Sequence, residues 1–188
     1  MLNLQEMLVL MGIVTSPNIT DAPIIEPDVF VKQQQEEISC MADNIYFEAR
    51  NQGTAGWSAV ASVTFNRIRD SRFPDTVCEV VKQGPTRESW KTRLLDLPDD
   101  ERVYYPIRHR CQFSWYCDGK SDDIPSFDGK LFELMYDYAE LYLRPDIILI
   151  DITDGATHYH ADYVFPSWRK SKTKTVEIGD HIFYRWEK

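Results

Sequence analysis

From Glu36 onward, Ile38, Met41, Ala42, Ile45, Tyr46 and Ala49 recur at the spacing of one face of an α-helix. The pattern stops at Asn51–Gly53 and resumes at once. Thr54 can cap a second helix running to about Arg69, with Trp57, Val60, Ala61, Val63 and Ile68 on its inner side. Gly56, Ala59 and Ala61 allow close contact, so the two helices are expected to pack as a hairpin. The chain before them reads differently. Pro17, Pro23 and Pro27 interrupt it and Gln33–Gln35 form a polar run, so residues 1–35 are expected to be a loosely packed N-terminal arm without a long helix.

After the hairpin, a short third helix follows Pro74, capped by Asp75 or Thr76, carrying Val77, Val80 and Val81 and stopped by Gly84-Pro85. Arg87 to Arg110, with Pro98, Asp99, Asp100 and Pro106, reads as a long irregular surface connection. Leu131, Leu134, Met135, Tyr138, Leu141 and Tyr142 make a core-facing helical stripe between Ser126 and Leu143, ended by Pro145. Thr175–Ile178 and His181–Trp186 are strand-like, and Gly179-Asp180 between them fits a hairpin turn. The expected fold is α+β, mostly helical, with a small C-terminal β-hairpin.

Composition narrows the partners. Lys plus Arg total 21 against 30 for Asp plus Glu, a formal charge of -9, which argues against nucleic acid or an anionic membrane as a sequence-independent partner. Any polyanion would have to be held by local basic groups. The apolar run Met7–Val14 has no preceding basic residue and about half of the ~20 residues a membrane helix needs, so neither a Sec signal nor a membrane anchor is expected. Cys40, Cys78, Cys111 and Cys117 contain no CxxC pair and allow three pairings. Reduced, partly buried thiols and disulfides both stay open; disulfides would place the protein outside the cytoplasm.

Three places could carry chemistry. Glu48, flanked by Tyr46 and Phe47 at the end of an apolar helix face, can be partly desolvated, which raises a carboxyl pKa and makes a general acid. The bland reading is a solvated glutamate near Arg50. In Cys111–Gly119, polar Gln112 and Ser114 alternate with aromatic residues including Trp115, a pattern suited to holding a sugar or, equally, to a buried strand. In Gly155–Asp162, His158 and His160 would share a strand face and with Asp162 form a partial metal site.

The block Asn44-Ile45-Tyr46-Phe47-Glu48-Ala49-Arg50, followed by Gly56, Ala59-Val60-Ala61, Val63 and Asn66-Arg67, resembles the SleB-type cell-wall hydrolase family of spore cortex-lytic enzymes. Phe73–Val77, Cys111–Gly119, Gly155–Tyr159 and Ile178–Tyr184 resemble that family's later blocks in order, over about residues 36–186. The resemblance implies a single domain over residues 36–188, lysozyme-like and akin to resuscitation-promoting factors. It further implies peptidoglycan glycan strands as substrate and Glu48 as the catalytic acid. Gln112, Ser114, Trp115, Thr157, His158 and Tyr159 are the candidates for holding saccharides. The likeness is greater to the Gram-negative and phage versions. Asn51-Gln52 departs from the family's usual Gly-Glu, and His160 stands where the family often has Tyr.

With one convincing carboxyl, the expected chemistry is that of a lytic transglycosylase cutting the MurNAc-β-1,4-GlcNAc bond, without metal or other cofactor. A monomer acting on the wall after synthesis in the cytoplasm, such as a phage endolysin, fits that reading. Two rivals remain in view. One is a zinc-dependent amidase using His158, His160 and Asp162 or a cysteine, with Glu48 as base. The other is a non-catalytic cell-wall-binding module.

Overall fold

The structure is a computed structural model that describes residues 27–187, with side chains from residue 31. The apolar run Met7–Val14 and the arm up to residue 26 lie outside the described residues. The chain divides into units 1–32 and 33–188, and apart from the start of the first helix everything below belongs to the second. No described helix is long and apolar enough to cross a membrane.

Helix α1 spans Pro27–Ala49 and α2 spans Gly53–Ile68. Helix α1 therefore begins before Glu36, and residues 27–35, expected to be irregular, continue it. Pro27 is its first residue, where a missing amide hydrogen costs nothing and the fixed φ suits a helix. The expected cap Thr54 is replaced by Gln52, whose side chain makes no cap hydrogen bond. That amide is engaged elsewhere: Nε2 donates to Asp180 Oδ2 at 2.7 Å, and Oε1 accepts from the Asp180 amide at 2.9 Å. Short helix α3, Val77–Val81, is capped by Thr76 in the expected way: its hydroxyl accepts from the Glu79 amide at 3.2 Å and donates to the Glu79 carboxylate at 3.0 Å.

The core gathers Met41, Ala42, Ile45 and Tyr46 of α1, Trp57, Val60 and Ala61 of α2 and the three valines of α3. Helix α5, Gly129–Leu143, adds Met135, Ala139 and Tyr142. The expected stripe on α5 is therefore rotated: Leu134 and Leu141 are exposed, and Ala139 takes a core place. On its other side α2 presents Ala59 and Val63 to a second cluster with Ala156 and Phe183. This is why α2 is buried nearly all round and rich in small residues.

That second cluster belongs to a three-stranded antiparallel sheet in the order β3 (His158–Ala161), β5 (His181–Arg185), β4 (Thr173–Ile178). The expected hairpin β4–β5 is present, turning at Gly179 with φ of 57°. Strand β3 extends the sheet, pairing Tyr159 with Phe183 and Ala161 with His181. Residues 87–110 also depart from expectation. Strands β1 (Thr86–Glu88) and β2 (Tyr104–Pro106) pair antiparallel around helix α4 (Trp90–Leu94). Arg102 holds this platform through Leu97 O at 2.8 Å and ion pairs to Asp99 and Asp96.

Both cysteine pairs are disulfides, Cys40–Cys78 and Cys111–Cys117. The first ties α1 to α3. The second closes the loop whose Ser114–Cys117 turn is a 3-10 helix rather than a strand.

Candidate active site

Glu48 lies in the last turn of α1, partly buried. Carbonyl groups at a helix C-terminus disfavour a negative charge there, and burial does so more strongly. Burial pushes the Glu48 carboxyl above its ordinary range; the hydrogen bond from Tyr159 and the charge of Arg67 pull the other way. Tyr159 Oη donates to Glu48 Oε2 at 2.8 Å. That contact joins the end of α1 to β3 across the molecule.

Two clefts meet at Glu48 and Ser114. One, of about 310 Å³, is lined by Arg67, Gln112, Tyr159, Tyr163 and His181. The other, of about 390 Å³, is lined by Phe47, Arg50, Trp115, Asp118, Lys120 and Asp122. Together they form a groove with the carboxyl at its middle. Gln112 and Ser114 are exposed, with side chains available to a ligand. Trp115 stacks on Phe47 at 4.6 Å between ring centroids, and its Nε1 donates to buried Asn44 Oδ1 at 3.1 Å. Asn44 also bonds Thr64 of α2, so one buried amide fixes α1, α2 and the Trp115 loop together.

The sequence candidates Thr157 and His158 are not on this groove. Successive residues of a strand face opposite ways, so Tyr159 turns toward Glu48 while the rings of His158 and His160 both pack against Trp168. His158 contacts Phe73, Trp168 and Trp186, and its Nδ1 meets Thr157 Oγ1 at 2.9 Å. Burial, with Arg67, Lys172 and Arg72 nearby, lowers its pKa to about 3, so the ring is a neutral packing group. His160 borders the cleft, but its Nε2 meets Tyr184 Oη at 3.1 Å and its Nδ1 the carbonyl of Ala161 at 2.8 Å. Among the described residues no three of His, Cys, Asp and Glu come together as a ligand set, so the His158, His160, Asp162 grouping on which the rival amidase reading rests is not assembled.

Two groove residues escape the sequence reading. Arg67 is 4 % exposed, with its guanidinium over the rings of Phe113 at 4.8 Å and Phe73 at 5.3 Å. Its Nε donates to Thr157 O at 2.8 Å, yet Nη1 is buried without a partner. Burial lowers its pKa to about 10, against the opposing influence of Tyr159 and Glu48, so it stays charged at neutral pH. His181 Nδ1 is likewise buried without a partner, and burial lowers that ring's pKa. Unsatisfied buried polar groups are rare and costly, so two on one cleft mark places for a ligand's polar atoms. The only sequence signal was their presence in the blocks Asn66-Arg67 and Ile178–Tyr184. Asn66 contributes as a support: its Nδ2 donates to Asp151 Oδ2 and Ala156 O at 2.9 and 3.0 Å, fixing the segment that enters β3.

The partly buried acid thus lies in a groove between the helices and the small sheet of an α+β fold. The chain belongs to the cell wall hydrolase family, whose family model matches residues 51–184. The match begins just after Glu48. A spore cortex-lytic enzyme from Oceanobacillus iheyensis is 44% identical over 57 residues, 29% of this chain and 21% of that protein. The chain thus matches about a fifth of that relative's length. The catalytic domain of the Bacillus cereus SleB protein covers 90% of this chain and 100% of its own, with a TM-score of 0.51 at 22% identity, a likeness of fold. The catalytic domain of the germination-specific lytic transglycosylase SleB from Bacillus anthracis covers 80% of this chain and 95% of its own, with a TM-score of 0.44 at 21% identity.

Proposed function

We propose that the chain is a lytic transglycosylase that cuts the MurNAc-β-1,4-GlcNAc bond with Glu48 as its acid and then its base. The observation that carries this reading is the Glu48 carboxyl at the junction of two clefts, raised in pKa by burial and held by Tyr159. The neutral acid gives its proton to the bridging oxygen as the C1–O bond breaks. The carboxylate left behind is stabilised by the Tyr159 hydroxyl and the Arg67 charge. It takes the proton of the muramic C6 hydroxyl while O6 bonds to C1, closing a 1,6-anhydro ring without consuming water. The substrate's N-acetyl oxygen can stabilise positive charge at C1, as in substrate-assisted glycosidases.

Gln112 and Ser114 are placed to bind saccharide hydroxyl and acetamido groups on one side of Glu48, and the Phe47–Trp115 wall lies on the other. The disulfides support work outside the reducing cytoplasm, in the periplasm or beyond, where a bacterial wall enzyme or a phage endolysin acts. One observation favours a hydrolytic variant. Asp118 and Asp122 line the Trp115 cleft with Glu48 and could orient a water, as inverting glycosidases require.

Mass analysis of the muropeptides separates the two, because anhydro ends are lighter by one water than reducing ends. Glu48→Gln should lower turnover by about 10²–10⁴-fold, the usual worth of general acid catalysis, with an unchanged circular dichroism spectrum. Near-normal turnover of that variant rejects the assignment.

A further inference from the structure

A second concave surface lies outside the Glu48 groove. The platform formed by β1, α4 and β2 bounds an open cavity of about 560 Å³, lined by Arg87, Trp90, Lys91, Arg93, Tyr105 and Arg108 among others. Its aromatic residues are not there for the core: Trp90 is 63% exposed and Tyr105 60% exposed. Its cations are not there for ion pairing either. Of the platform's carboxylates, Glu88, which itself lines the cavity, Asp96 and Asp99 are drawn to Arg102, and among the described residues Arg87, Lys91 and Arg93 join no ion pair, although the Lys91 ammonium lies over the Trp90 ring at 5.9 Å. In a chain of net charge -9, an aromatic cavity with three unpaired cations is a selective place for an anionic, ring-bearing ligand.

One contact links the cavity to the groove. Arg108 lines the cavity and donates from Nε to Asp118 O at 2.8 Å, and Asp118 lines the Trp115 side of the groove. The two sites are therefore neighbours, within reach of one long polymer.

We propose that this cavity is a second binding site for the glycan strand. Its sugar rings would lie against Trp90 and Tyr105, and the carboxylates of its peptide stems would meet Arg87, Lys91 and Arg93. The inference rests on the wall-cleaving reading above and adds a site remote from the reacting bond. It accounts for how an acidic protein approaches a polymer that also carries carboxylates.

The test compares wild type, the triple variant Arg87→Glu/Lys91→Glu/Arg93→Glu and, separately, Trp90→Ala. Binding is read by co-sedimentation with purified sacculi, untreated or with their free stem carboxylates converted to neutral amides, and turnover on sacculi is divided by turnover on a short soluble glycan fragment. Charge reversal should weaken binding to untreated sacculi about tenfold, as expected for a few solvent-exposed ion pairs, and should have little effect on amidated sacculi. The turnover ratio should fall by a similar factor, and Trp90→Ala should weaken binding to both kinds of sacculi. Wild-type binding by the triple variant, or equal weakening on untreated and amidated sacculi, overturns the stem-carboxylate site. If wild type cleaves neither substrate, the wall-cleaving reading fails, while co-sedimentation still decides the cavity.

Discussion

At the scale of single residues, Glu48 stands between opposed influences. Burial favours its neutral acid, while the Tyr159 hydroxyl and the Arg67 charge favour its carboxylate. In the proposed mechanism Glu48 gives a proton and then takes one back, which needs both states within reach, and a pKa near the working pH serves that purpose. Tyr159→Phe removes the hydrogen bond that stabilises the charged form and keeps the ring. The Glu48 pKa then rises further. A general acid works while protonated, so kcat/KM falls as pH rises through that pKa, and in the variant this basic limb should move to higher pH. A pH–rate profile measures it; an unmoved limb, or one moved to lower pH, contradicts the role given to Tyr159. The partial burial of Glu48 was legible only in part: aromatic neighbours at the end of an apolar face allow desolvation, but position alone fits a solvated glutamate better, and the family resemblance singled it out. Arg67 and His181 were not legible, because a buried nitrogen without a partner is a property of the assembled cleft and leaves no local pattern.

At the scale of elements, the helices were legible where periodicity was strong and capping chemistry local, as with Thr76 and Glu79 before α3. The 87–110 segment was misread as irregular because its order comes from Arg102 gathering distant acidic groups and from two three-residue strands too short to show alternation. The disulfides were left open because pairing depends on which elements become neighbours. They should divide their effects. Cys40–Cys78 closes a span of 38 residues between α1 and α3, away from the groove, and its removal as Cys40→Ala/Cys78→Ala should cost about 3–4 kcal/mol by chain-entropy reasoning. Cys111–Cys117 closes only six residues, but those carry Gln112, Ser114 and Trp115. Its removal should cost only about 2 kcal/mol and should raise KM by loosening that loop. Urea unfolding and steady-state kinetics on both double variants check the contrast; a larger rise in KM for the α1–α3 pair would refute it.

At the scale of the whole molecule, the groove depends on how the sheet is held against the helices. Glu48, Tyr159 and the proposed saccharide contacts come from α1, β3 and the Cys111–Cys117 loop, so no single element contains the candidate site. The sequence revealed the hairpin turn at Gly179-Asp180 but not its partner. Gln52, read there only as a departure from the family's usual acid, clamps that turn through two hydrogen bonds to Asp180. A glutamate at position 52 would set its charge against the Asp180 carboxylate, so the amide suits this neighbour. Gly179 has φ of 57°, and a Cβ placed there would come within 2.0 Å of Gln52 Oε1. Gly179→Ala must therefore both strain the backbone, at about 1–2 kcal/mol, and swing the Gln52 side chain away. With two hydrogen bonds lost at roughly 0.5–1.5 kcal/mol each, the total is about 2–5 kcal/mol. Gln52→Ala loses only the bonds. In the double variant the alanine methyl meets no amide and no further bond is broken, so its cost should fall short of the sum of the single variants by about the worth of those bonds. Both single variants should also lower kcat, because a sheet released at this turn no longer fixes Tyr159 on Glu48. Urea unfolding of the four proteins in the cycle measures the coupling, and strict additivity would show that the Gln52 clamp does not hold the sheet to the helices.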